Sequence, residues 1–134
     1  MVNVKDLQKV YEERMNEKDK SIVEEFENFI DKQLVESNGK SKITKWDFLE
    51  IVDKAIGRLT TEYYMVYKKA FECVENEITK IGMKYIDEIF YTKEATLLKY
   101  IFKKYRDNGY FIKPSRTSCF VKPSNNRTIY IENN

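Results

Sequence analysis

The hydrophobic period changes once along this chain, and that change limits what it can fold into. Through Tyr105 the apolar residues recur every three or four positions, the mark of helices with one buried face. Beyond the Asn108-Gly109 pair they fall in short runs rich in β-branched and aromatic residues, separated by proline, serine and asparagine. Such a pattern predicts helices first and a small sheet last. A sheet of two or three strands is marginal by itself and must pack on the helices. The expected class is α+β, a mostly helical body with a small C-terminal antiparallel β-sheet.

The first stripe runs from Val4 through Leu7, Met15, Ile22, Phe26 and Ile30 to Leu34. It lapses at Asn16–Lys20, so one continuous helix and two helices joined near residue 20 both fit. Ser21 and Glu24 have the spacing of a capping box, and Asn38-Gly39 predicts the stop. Lys40–Trp46 is polar around Ile43 and predicts one brief strand. Asp47 and Glu50 repeat the capping logic before a stripe of Phe48, Ile51, Val52, Ala55, Ile56 and Leu59. Gly57 and Thr60-Thr61 mark a bend or a fresh start. The next stripe extends from Tyr63 to Ile81, closed by Gly82, and Met83–Phe90 reads as one or two further turns. Thr92 can cap a helix carrying Leu97, Leu98, Ile101, Phe102 and Tyr105. Strands are predicted at Tyr110–Lys113, Thr117–Lys122 and Thr128–Glu132. No repeat or linker interrupts the 134 residues, a length that fits a single domain, 1–134.

Charge divides along the same line. Residues 1–90 carry 15 Lys/Arg against 19 Asp/Glu, a net of −4, whereas residues 91–134 carry 9 against 3, a net of +6. The first part is an acidic helical one; the second is a basic helix plus the sheet. Aromatic residues make up 14% of the chain, too many for a disordered polymer, so the 34% that are charged belong on solvated helix faces. Lysine outnumbers arginine 19 to 5, a bias of AT-rich coding sequence.

The absences narrow the chemistry. With no histidine, the commonest general base and metal ligand is missing. Cys73 and Cys119 are far apart in sequence and outside any Cys-x-x-Cys, which points to two reduced structural thiols and no zinc site. Four isolated glycines leave no phosphate-cradling loop. Carboxylates cluster only as Glu12-Glu13, Glu24-Glu25, Glu72/Glu75 and Asp87-Glu88, on lysine-rich faces where ion pairing is their usual role. The expectation is a protein that is not an enzyme and binds no cofactor and no metal. No apolar run spans a membrane, and the N-terminus lacks a signal-peptide layout, so the expectation is a soluble product that stays or assembles inside a cell, neither secreted nor transmembrane.

Two surfaces are candidates for partners. Tyr63, Tyr64 and Tyr67, with Phe71, form an aromatic patch at helical spacing, which serves either as core or as a protein interface. Lys99, Lys103, Lys104 and Arg106 lie on the last long helix, and Lys113, Arg116, Lys122 and Arg127 lie on or beside the strands. These eight cations would suit nucleic acid or an acidic partner. The stretch from Leu98 to Ile112, a basic helix followed by Gly109-Tyr110 and a hairpin, resembles the end of a winged-helix domain. That resemblance implies a helix in the major groove and a hairpin as the wing.

A second resemblance spans more of the chain. A long charged helix ending in Gly39, a short polar strand, and a leucine-bearing helix before Gly109-Tyr110 and a final strand at Thr128-Ile129-Tyr130-Ile131 look like small uncharacterised proteins of tailed bacteriophages. It implies viral origin and a binding or structural role, with no catalytic residues to carry over. The expected function is thus a non-enzymatic component of phage assembly or of the virion, acting through contacts with other protein subunits, including copies of itself. The alternatives are a nucleic-acid-binding regulator using the basic helix and hairpin, and an inhibitor of a host protein.

Overall fold

Helices in this chain begin where a short polar side chain can turn back on its own backbone. The structure, a computed structural model, describes residues 4–82, 92–115 and 118–123. Helix α1 (Val4–Arg14) stops at Asn16, whose side chain accepts a hydrogen bond from the Asp19 amide at 2.7 Å and caps α2 (Glu17–Glu36). There are thus two helices, and the break lies before residue 20. Ser21 and Glu24, the expected capping box, lie inside α2, because Asn16 already caps the helix at the Asp19 amide and apolar burial resumes at Ile22. At the other end Asn38 takes a left-handed φ of 55° and the Gly39 amide reaches back to the Leu34 carbonyl at 2.6 Å. This is a Schellman closure, and it turns the chain sharply into β1 (Ser41–Thr44).

Thr44 and Asp47 then form a reciprocal capping box, at 3.0 and 2.9 Å, that opens α3 (Lys45–Ile56). Asp47 is therefore the third helical residue of that box; the capping residue is Thr44. Gly57, at φ 86°, ends α3. Thr60 caps α4 (Thr61–Ile81), and Thr92 caps α5 (Lys93–Asp107), where Asn108 closes the helix by donating to the Lys104 carbonyl at 2.7 Å.

The sheet contains β1 together with β2 (Tyr110–Ser115) and β3 (Ser118–Pro123), all antiparallel in the order β1-β3-β2. A strand from the acidic part of the chain thus completes a sheet that the sequence places at the C-terminus. The expected strand Thr128–Glu132 and the expected turns Met83–Phe90 lie outside the described residues. Gln33 of α2 fastens β1, its amide oxygen accepting from the Ser41 hydroxyl at 2.6 Å and from the Lys42 amide at 2.9 Å. The free edge of β1 is thereby capped at Lys42.

Five helices and three strands among the described residues share one apolar core. Four phenylalanines, one from each of four helices, interlock at its centre: Phe26 meets Phe48 at 6.0 Å and Phe102 at 5.9 Å, and Phe48 meets Phe71 at 5.6 Å. Burying each such ring stabilises the fold by roughly 1.5–3 kcal/mol. Helix α5 is sunk in this core, with Leu97, Leu98, Tyr100, Ile101, Phe102 and Tyr105 all buried. Among the described residues no helix is long and apolar enough to cross a membrane.

Candidate functional site

Side chains alternate cleanly across the sheet, because neighbours along a strand point to opposite faces. Ser41, Val121 and Ile112 share one row of the inner face and are buried; Ile43 and Cys119 continue it. Burial pushes the Cys119 thiol well above its ordinary value, with Glu75 adding to the effect, so it stays a neutral core group. The outer face is different. Lys42, Phe120 and Lys113 make one row across all three strands, and Lys122 opposite Phe111 makes the next. Lys42 and Lys113 are exposed, and Phe111, Phe120 and Lys122 are half-buried. Only toward the β2–β3 turn does the face close, at the buried Ser118.

On β2 and β3 these residues form a square, with phenylalanines at one pair of opposite corners and lysines at the other. Lys40 and Lys42 add two further cations on the β1 side, 5.0 and 5.9 Å from the Phe120 ring centre, and Lys122 lies 5.5 Å from that of Phe111. No aspartate or glutamate stands on any of the three strands. An ammonium over an exposed ring is worth about 0.5–1 kcal/mol, so the lysine heads rest on the rings but are readily drawn off by a stronger partner. What results is a platform of positive charge interleaved with aromatic surface.

The other expected basic residues go elsewhere. Lys104 pairs with Glu27 of α2 at 2.7 Å, Arg106 contacts Asp107 at 3.2 Å, and Lys99 is buried. Lys103 is half-buried on the same helix. Arg116 and Arg127 lie outside the described residues. Of the eight, the structure places Lys113 and Lys122 together on one open surface and draws Lys99, Lys104 and Arg106 into contacts of α5. On α5 only Lys93 and Asp107 are exposed, so the helix presents little open surface to a groove.

The tyrosines part company as well. Tyr67 is 3% exposed and packs on Phe48, Tyr64 is half-buried, and Tyr63 alone is exposed, with Lys18 4.7 Å from its ring centre. Tyr67 is a core residue because it lies on the same stripe as Phe71 and Val74. Burial, with Asp19 nearby, pushes its phenol up to about 12.

Two cavities have polar linings. One, of about 240 Å³, lies between α2, α5 and β2 and is lined by Glu27, Asp31, Lys104, Tyr105, Asn108 and Tyr110. Its polar groups satisfy one another: the Tyr105 hydroxyl donates to Asp31 at 3.0 Å, and burial with that bond raises its pKa. The other, of about 280 Å³, is lined by Asp19 together with Tyr11, Arg14, Lys93 and Thr96. Burial raises the Asp19 pKa while Lys93 opposes it. Among the described residues no group of three or more potential metal-ligating side chains converges.

Sequence reasoning missed Lys40, Lys42, Phe111 and Phe120 as members of a surface. A signal was available: Phe111-Ile112-Lys113 and Phe120-Val121-Lys122 repeat the order aromatic, β-branched, lysine. At a period of two, that order sends Phe and Lys to one face and the aliphatic residue to the other. Comparison of the chain with protein-family models, with characterised proteins and with solved structures finds no match.

Proposed function

We propose that the protein binds nucleic acid, without catalysis, through the outer face of its sheet. The observation that carries this reading is the alternation of lysine and phenylalanine over three strands that bear no carboxylate. Phosphates need cations whose charge is not already neutralised, and bases need aromatic faces; the sheet offers both in one plane. A binding role accords with what the resemblance to small phage proteins implies.

Fluorescence polarisation of a labelled oligonucleotide tests the reading. Four lysines, Lys40, Lys42, Lys113 and Lys122, imply a salt slope of roughly −3, hence about a fifty-fold loss of affinity between about 50 and 200 mM salt. Replacing all four by glutamine should abolish binding while leaving the melting temperature within a few degrees. Competition by polyglutamate as effective as that by nucleic acid would instead identify an acidic polypeptide as the partner and defeat the proposal.

A second reading, a component of a viral assembly acting through protein contacts, is favoured by Leu7 and Val10, 59% and 40% exposed and one turn apart on α1. Leu7→Glu would then lower the native mass measured by light scattering; an unchanged mass would count against it.

A further inference from the structure

The square of rings and lysines specifies which form of nucleic acid the face takes, an inference that rests on the reading above. Phe120 lies opposite Lys113 and Phe111 opposite Lys122, so the two rings are diagonal neighbours on adjacent strands. Sheet geometry sets such diagonal positions about 7–8 Å apart. Along one strand of a stacked duplex, successive units advance by only about 3.4 Å. Two neighbouring bases can each cover one ring only if they have separated from one another and from any complement.

We infer that the sheet binds single-stranded nucleic acid across one dinucleotide step, with one base on Phe120 and the next on Phe111. The phosphate joining those bases crosses the diagonal between Lys113 and Lys122, the remaining corners of the square. The neighbouring phosphate on the Phe120 side meets Lys40 and Lys42, which already reach to that ring. Stacking on an aromatic side chain contributes about 1–3 kcal/mol per base, more than the cation–ring contacts it displaces, and the displaced ammonium groups gain phosphates. Among the described residues the strands carry no arginine, asparagine, glutamine or carboxylate, so the planar groups that read base edges most specifically are missing from this face. The preference is therefore for unpaired over paired strands, with weak dependence on sequence.

The test compares a labelled single strand of roughly ten nucleotides with the same strand annealed to its complement, using the wild-type chain and the Phe111→Leu and Phe120→Leu variants. Both rings are half-buried on the outer face, and leucine keeps apolar bulk there, so the variants should fold. Phe120→Tyr provides a control that retains the aromatic face. The expected result is preference for the single strand, and on the order of a tenfold loss for each leucine variant. Phe120→Tyr should bind like wild type, and the salt slope should not change in any of the three. Equal affinity for both forms with no effect of either leucine variant would overturn the dinucleotide step while leaving the electrostatic face standing. Failure of both forms to bind at low salt would remove the underlying reading and this inference with it. Running ribo- and deoxyribo- versions of the strand tells which sugar the face admits.

Discussion

Helix α5 and the sheet are built from similar residues and use them in opposite ways. The helix sets Lys99, Lys103, Lys104 and Arg106 beside Tyr100 and Tyr105; the sheet sets Lys42, Lys113 and Lys122 beside Phe111 and Phe120. On α5 the tyrosines are buried and point their hydroxyls at carboxylates, Tyr100 at Glu12 over 2.9 Å and Tyr105 at Asp31 over 3.0 Å, while Lys104 pairs with Glu27. The cations there help to seat a core helix on its acidic neighbours. On the sheet no carboxylate is within the strands, and Lys42 and Lys122 lie over the Phe120 and Phe111 rings instead. A basic segment can serve phosphates only where the fold has left its charges un-neutralised.

The comparison breaks most directly if equivalent truncations in the two regions behave alike. Phe102→Ala should cost about 3–5 kcal/mol in denaturant unfolding, because a fully buried ring leaves a cavity. Phe120→Ala should cost about 1 kcal/mol or less and act on single-strand affinity instead. Similar stability losses at both sites would show that the outer face is structural.

Smaller effects sharpen the contrast between the inner and outer faces. Glu75 of α4 is 8% exposed, and its Oε2 has no hydrogen-bond partner among the described residues. Burial raises its pKa above the ordinary 4.5, opposed by Lys45. The native state then holds this proton more tightly than the unfolded chain, so raising the pH from 4.5 through the raised native range costs stability. Glu75→Met should stabilise the protein by about 1 kcal/mol at neutral pH, and the gain should vanish as the pH falls below that window. Thermal unfolding across pH checks this; a constant difference would mean the carboxyl does not titrate there. Tyr105→Phe removes the bond to Asp31 and should cost about 1 kcal/mol with no change in binding.

The smallest pair concerns single charges. Lys104→Gln loses a partly exposed ion pair and should cost about 0.5–1 kcal/mol with affinity unchanged. Lys113→Gln should alter stability by less than about 0.5 kcal/mol yet reduce the salt slope by roughly 0.7–0.9, the share of one phosphate. Reversal of these two outcomes would relocate the binding surface to α5.

Much of the architecture was legible in the chain. Asn38-Gly39, Gly57, Gly82 and Asn108-Gly109 end helices where left-handed or cap-forming residues stand, and the stripes through Phe26, Phe48, Phe71 and Phe102 do face the core. These features are local, so residue type and spacing suffice to read them. The break at Asn16 was harder to place, because Ser21 offers an equally good capping pattern and only the burial of Ile22 against other helices selects between them. For the proposed site, Lys113 and Lys122 stand out in the sequence through their charge. Lys40 and Lys42 do not, because they stand in the acidic part of the sequence.

What the sequence alone determined, then, is the alternation that sends Phe and Lys of β2 and β3 to one side of a hairpin and Ile112, Cys119 and Val121 to the other. Tertiary structure decided which of the basic residues remain available. Burial of α5 against α2 brought Lys104 to Glu27 and withdrew the helix from solvent. The pairing of β1 with β3, across more than seventy residues of chain, carried Lys42 onto the face opened by the hairpin. Neither event can be read locally, because long-range strand pairing and helix docking are chosen by the free energy of the whole core and not by the segments they bring together.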